Sequence, residues 1–294
     1  MELILSTLIN GLSLGGIYAM IALGYTMVYG IAKMLNFAHG DIIMVGGYTL
    51  FVTLSTMGMP ILGLALAVVV CVVLGVTVEK VAYKPLRGAS PLAVLITAIG
   101  VSYLLQSLAQ IIFSSAPRMV YVGGQDGLGF VTIGSLKIQK HILITLVCSV
   151  VIMVVLSLFV KYTKIGRAMI AVSEDKGAAQ LMGINVNMII TITFAIGSAL
   201  AAFAGFFMLM KSPSLTNTLG AMPGIKAFTA AVIGGIGSLP GAMLGGLFIG
   251  LIETIAQVVP GMGAYTVAIE FLVLIIVLLV RPTGILGKKR REKV

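Results

Sequence analysis

Ile61-Leu-Gly-Leu-Ala-Leu-Ala-Val-Val-Val-Cys-Val-Val-Leu-Gly-Val-Thr-Val78 runs for 18 residues without a charge, an amide or a proline, and ends on the charged pair Glu79-Lys80. As a helix this stretch rises about 27 Å, close to the roughly 30 Å hydrocarbon core of a bilayer. It reads as the body of a membrane-spanning helix over 61–82.

The same signature recurs outward from it. Nothing charged lies between Glu2 and Lys33, between Asp41 and Glu79, between Arg87 and Arg118, or between Lys176 and Lys211. The chain carries only 19 Lys+Arg and 9 Asp+Glu in 294 residues, against 59% hydrophobic residues and a mean hydropathy of +1.15. A soluble fold could not cover its surface with so few polar groups. Spans are read at 3–30, 42–58, 61–82, 91–113, 142–160, 188–210, 225–237, 241–258 and 264–280, from apolar length and from Gly, Pro and charge punctuation. The fold class is therefore all-α, a polytopic membrane helix bundle forming one transmembrane domain. Nine crossings are expected, with eight as the alternative, because 225–237 is too short for a full span. Gly234-Gly235-Ile236-Gly237-Ser238-Leu239-Pro240-Gly241 marks a broken or re-entrant pair there.

The net charge of +10 would suggest nucleic acid in a soluble protein. Here the basic residues sit in short loops beside apolar spans, which reads as topology and excludes a nucleic-acid partner. Lys80, Lys84 and Arg87 mark one cytoplasmic loop; Lys161, Lys164, Arg167 and Lys176 mark a second at 161–187; Arg281 and the tail Lys288-Lys289-Arg290-Arg291 mark a third. The N-terminus is then outside, the C-terminus inside, and the loop at 114–141, with Gly123-Gly124-Gln125-Asp126-Gly127 as its turn, is extracytoplasmic, a connector or a docking surface. Met1-Glu2-Leu3 lacks the basic start of a signal peptide, so the first span is expected to be retained. Cys71 and Cys148 lie in apolar runs and read as buried thiols rather than metal ligands. Glycines such as Gly11, Gly15-Gly16, Gly197, Gly205, Gly245-Gly246 and Gly250 give small faces for close helix packing.

The stretch from Ile165 to Asn185 carries the mechanism. Ser173 suits an N-cap, Glu174 and Asp175 suit the positive end of a helix dipole, and Gly183 suits a helix stop. A helix of two to three turns is predicted between two spans, with Ala178-Ala179 as a small face on which another protein's groove can close. Asp175-x-x-Ala178-Ala179-x-x-x-Gly183 resembles a divergent form of the coupling-helix loop of ABC importer permeases, without its strict Glu-Ala-Ala opening. Leu35-Asn36-Phe37-Ala38-His39-Gly40-Asp41, Thr97-Ala98-Ile99-Gly100-Val101-Ser102 and Gly234 to Ala242 resemble the recurring blocks of LivH-type branched-chain amino acid permeases. The resemblance runs in order along nearly the whole chain.

That resemblance implies a subunit of the bacterial inner membrane which pairs with a homologous second permease of LivM type. It rests on two cytoplasmic ATPases of LivG and LivF type and receives substrate from an extracytoplasmic binding protein. Glu174, Asp175, Ala178, Ala179 and Gly183 become candidate ATPase-coupling residues. Branched-chain amino acids are the cargo implied, although the binding protein is expected to choose the ligand. No phosphate loop, His-Glu-x-x-His motif or nucleophile with a base is present, so no cofactor is expected in this chain, and ATP with Mg is assigned to the partner ATPases.

Asn36, His39 and Asp41 place an amide, an imidazole and a carboxylate between two apolar spans. Asp41 reads as the N-cap of the helix that follows, and the segment also reads as a broken stretch lining the translocation route. Glu253 is a further candidate for that route, whereas Glu270, near a span end, reads as interfacial. The competing function is an ATPase-independent secondary transporter or channel for a small polar solute, and an intramembrane enzyme would have only His39 with Asp41 to work with.

Overall fold

The computed structural model describes residues 2–124, 127–133 and 136–287; Gln125-Asp126 of the external turn and the tail Lys288 to Arg291 lie outside the described residues. In chain order the elements are α1 (Glu2–Ala32), α2 (His39–Met57), α3 (Pro60–Val78, continued by irregular helical turns to Leu86), α4 (Pro91–Phe113), β1 (Arg118–Met119), β2 (Phe130–Ile133), β3 (Leu136–Gln139) and α5 (Lys140–Tyr162). They continue as α6 (Lys164–Glu174), α7 (Lys176–Leu181), α8 (Val186–Lys211), β4 (Ser214–Leu215), α9 (Ala221–Gly234), α10 (Leu239–Val258) and α11 (Thr266–Val280).

Local chemistry sets these limits. Ser90 Oγ accepts from the amide of Ala93 at 3.3 Å ahead of Pro91, and Ser238 Oγ accepts from that of Gly241 at 3.2 Å ahead of Pro240. Each supplies a cap to donors that have no partner inside the helix, with proline in the first turn where its missing N–H costs nothing.

Among the described residues eight helices are long and apolar enough to cross a membrane, and α9 is a shorter apolar helix of 14 residues. The eight-helix count is thus correct by length, yet α9 belongs to a ninth passage. The chain leaves α8 at Lys211 and pairs β4 with β1, and the amide of Val120 donates to Pro213 O at 2.8 Å. After α9, Ile233 and Gly234 accept from the amides of Ile285 and Leu286 at 2.8 and 3.0 Å, beyond the end of α11. Residues 212–234 therefore run from the strand end of the bundle to the end where α1 finishes, partly as irregular backbone, which is tolerated at membrane depth only where protein surrounds it.

α8 and α1 form the centre: 67% and 61% of their apolar windows are buried, against 17% for α4 and 11% for the window containing α11. Lipid offers no hydrophobic drive to bring helices together, so contact depends on small residues. α1 lies on α10 through Gly11, Gly15, Gly246 and Gly250, and a Cβ on Gly15 would stand 2.7 Å from Leu247 Cα. The 114–141 loop carries the antiparallel hairpin β2–β3 and strand β1, so it has order of its own.

Candidate functional site

The α6–α7 element differs in detail from its sequence reading. Thr163 caps α6, its Oγ1 accepting from the amide of Gly166 at 3.0 Å, and the helix runs on through Ser173, whose hydroxyl donates back to Ile170 O at 2.7 Å. Ser173 is thus no N-cap. Asp175 is the cap of α7: its Oδ1 accepts from the amides of Gly177 and Ala178 at 2.9 and 3.0 Å. α7 is only six residues long, shorter than the two to three turns expected, because α6 takes up the preceding residues. Gly183, at φ +81°, stops it as expected, with the amide of Ile184 donating to Ala179 O at 3.0 Å.

The small face also divides. Ala179 is buried against its own chain, at 3% exposed, so it cannot meet a partner's groove; Ala178 and Glu174 are exposed. The outward tip is Leu181 and Met182, at 91% and 82% exposed, two apolar side chains on a connector between helices. Lys176, at the start of α7, donates from Nζ to Ala32 O, the last carbonyl of α1, at 3.0 Å. Partial burial and the nearby Arg87 charge hold its ammonium below the usual lysine range. Glu79, fully buried, accepts from Arg87 and from Thr191 Oγ1, the latter at 2.8 Å, and Arg87 also donates to Asn187. These bonds tie the 79–90 loop to the start of α8.

Asn36, His39 and Asp41 are brought together, and all are buried. The chain folds back after α1, so that His39 packs between α1 and α8 against Gly24 and Gly197, with its ring edge-on to Tyr25 at 4.8 Å between centroids. Gly24 lies eight residues before the end of α1, which puts the start of α2 about 12 Å inside the bundle. Asn36 Oδ1 accepts from the Tyr83 hydroxyl, and Asp41 Oδ1 from Gln106 Nε2, each at 2.8 Å. Asp41 is not the N-cap; that position is Ala38, and Asp41 sits in the first turn of α2, where the helix dipole favours its charge. The start of α9 meets this point, with Gly220 and Gly40 in backbone contact that leaves no space for a Cβ on either. Two interrupted helices thus begin side by side within the bundle. A cavity of only about 10 Å³ lies beside them, lined by Tyr25, Tyr29, Asn36 and Phe228 among others, room for about one water. Backbone contact closes the space between the two helix starts.

Glu253 is not part of that group. Its Oε2 accepts from the Tyr18 hydroxyl at 2.7 Å and lies 2.8 Å from Lys226 Nζ, while its Oε1 accepts from Gln257 Nε2 at 3.3 Å. Lys226 Nζ is also 3.1 Å from Glu270 Oε1, an ion-pair distance without hydrogen-bond alignment. Glu270 is 2% exposed, so it is no interfacial group: α11 turns it inward because Lys226 is there to receive it. Lys226 was missed at the sequence level; the available signal was a lone lysine inside a short Gly-rich apolar run, followed by two carboxylates in later spans.

Residues 7–278 match the family described as branched-chain amino acid transport system / permease component. The chain is 42% identical to the high-affinity branched-chain amino acid transport system permease protein BraD of Pseudomonas aeruginosa, over 99% of this chain and 98% of that protein. It is 40% identical to the corresponding permease protein LivH of Escherichia coli, over 99% and 97%. LivH of Salmonella typhimurium is 39% identical over the same shares.

Proposed function

This chain belongs to the family of permease components of branched-chain amino acid transport systems, and on that premise we propose that it is one half of the membrane pathway of an ATP-driven importer for branched-chain or closely related amino acids. The observation that carries the reading is similarity of 40–42% to such permeases over 99% of the chain. The other half is a homologous permease of LivM type; two cytoplasmic ATPases of LivG and LivF type drive the cycle, and an extracytoplasmic binding protein delivers the cargo.

Orientation follows from charge. Lys161, Lys164, Arg167 and Lys176 put α6–α7 in the cytoplasm, so the strand end faces outward, the N-terminus lies outside and the C-terminus inside. In this arrangement α7 meets an ATPase through Leu181 and Met182, whose exposure is otherwise unexplained on a charged connector. Asp175 and Gly183 set the start and stop of the element, Ala178 and Glu174 flank its tip, and Ala179 seats it on its own subunit. Lys176 then joins α7 to the end of α1. The broken starts of α2 and α9, with Asn36, His39 and Asp41, form the part of the route that must open.

The test is reconstitution in proteoliposomes. The full set of two permeases, two ATPases and binding protein should give ATP-dependent uptake of leucine, isoleucine or valine, and this chain alone should give none. Uptake by this chain alone, or uptake by the complete set that is indifferent to ATP, would point to a secondary transporter.

A further inference from the structure

A second polar feature lies away from the starts of α2 and α9. At the outward-assigned end, a cavity of about 350 Å³ opens between α1, α5, α8 and α10, a size at the low end of the roughly 300–1,000 Å³ common for small-molecule sites. Its wall combines three chemistries. Lys211, the last residue of α8, brings an ammonium to the rim; His141 and Gln257 bring hydrogen-bonding groups; Leu14, Ile17 and Val258 form an apolar side.

Below it lies the buried ion cluster. Gln257 lines the cavity and also donates to Glu253, and Lys211 is within electrostatic reach of the same carboxylate. Lys226 Nζ lies between the two carboxylates, 2.8 Å from Glu253 and 3.1 Å from Glu270. The cavity therefore has a cation in its wall, the Glu253 carboxylate behind Gln257, and the aliphatic side chains of Leu14, Ile17 and Val258 in its lining. A zwitterion with an apolar side chain matches all three, and neither a simple anion nor a hydrocarbon does.

We infer that this cavity is an outward-side binding site for a free aliphatic α-amino acid, with Lys211 receiving the carboxylate, the Gln257–Glu253 side receiving the ammonium, and Leu14, Ile17 and Val258 receiving the side chain. The inference rests on the amino acid importer reading and adds to it a place in the permease where cargo pauses after leaving the binding protein.

The experiment uses the assembled complex in phosphatidylcholine nanodiscs without binding protein, in a background lacking Cys71 and Cys148. Asn10, exposed on the rim of the cavity, is replaced by cysteine (N10C), and the rate of thiol labelling is followed as L-leucine is added. L-Leucine should slow labelling in a saturable way, leucinol, which lacks the carboxylate, should not, and Lys211→Gln should raise the protecting concentration at least tenfold. Absence of protection by L-leucine, when the same complex sealed into proteoliposomes imports leucine once binding protein and ATP are supplied, overturns the site and leaves the importer reading standing. Absence of import of any branched-chain amino acid by the complete wild-type system overturns both. Protection that appears only when phosphatidylglycerol is added identifies a lipid headgroup site and overturns the assignment to an amino acid.

Discussion

Replacing Lys226 by methionine tests whether the ion cluster holds the short helix α9 in place. Lys226 is the cation shared by Glu253 and Glu270, at 2.8 and 3.1 Å, and the three side chains are 9%, 10% and 2% exposed, so water screens them little. Removing one partner of a buried pair costs about 3–5 kcal/mol, mostly because it leaves the other charge without compensation. Lys226→Met strands two carboxylates, and Tyr18 and Gln257 can satisfy only Glu253. At the ~2–4 °C per kcal/mol typical of large domains, the apparent melting temperature in detergent should fall on the order of 10 °C. The assay is thermal challenge followed by size-exclusion chromatography of the tagged permease. Neutralising the whole group, as Lys226→Met with Glu253→Gln and Glu270→Gln, should recover most of the loss, because a neutral buried cluster needs no counter-charge. A single variant that melts within about 2 °C of the parent, or a triple variant no more stable than the single, would show that the cluster does not secure α9.

Four further outcomes are expected. Leu181→Glu should weaken ATPase association in a pull-down by about tenfold or more, since burying a leucine is worth about 1.5–3 kcal/mol, without changing the melting temperature of the isolated permease. Ala179→Trp, by contrast, overfills a contact inside the subunit at ~1–3 kcal/mol and should lower that melting temperature by several degrees. Lys176→Met should leave assembly intact while reducing the uptake obtained per ATP hydrolysed; equal losses of both would argue against a link from α7 to α1. Single cysteines at Tyr121 and Gln180, both exposed, should react with an impermeant thiol reagent from opposite sides of the membrane.

Most of the architecture was legible because lipid makes apolar length decisive: a run such as 61–78 has no other stable use, and the read spans fall on helices whose ends differ by a few residues. The failures have a common form. Ser173 and Asp175 are both good caps two residues apart, and the choice between them depended on Thr163 starting α6 early enough to carry its helix past Ser173. Ala178 and Ala179 are alike in sequence, and only packing shows that one faces outward. Lys226, Glu253 and Glu270 sit on three helices, so no local spacing could bring them together. Residues within one turn are fixed by nearby chemistry, whereas pairings across the bundle require the fold.

The placement of polar groups along the bundle separates what is held from what can move. At the α7 end, the chain is joined by side-chain bonds: Lys176 to the last carbonyl of α1, Arg87 and Thr191 to the buried Glu79, and Arg87 to Asn187. The carbonyls at a helix end lack partners within the helix, so a displaced α7 would take with it the bond that terminates α1. Residues 33–38 begin there, and they carry Asn36 and set His39 between α1 and α8. Toward the opposite end, α1, α9, α10 and α11 share the Tyr18–Glu253–Lys226–Glu270 cluster, and α1 and α10 are in glycine-mediated contact. The backbone contact of Gly40 with Gly220 lies between these two regions, so the starts of α2 and α9 meet where the side-chain-bonded end gives way to the glycine-packed end.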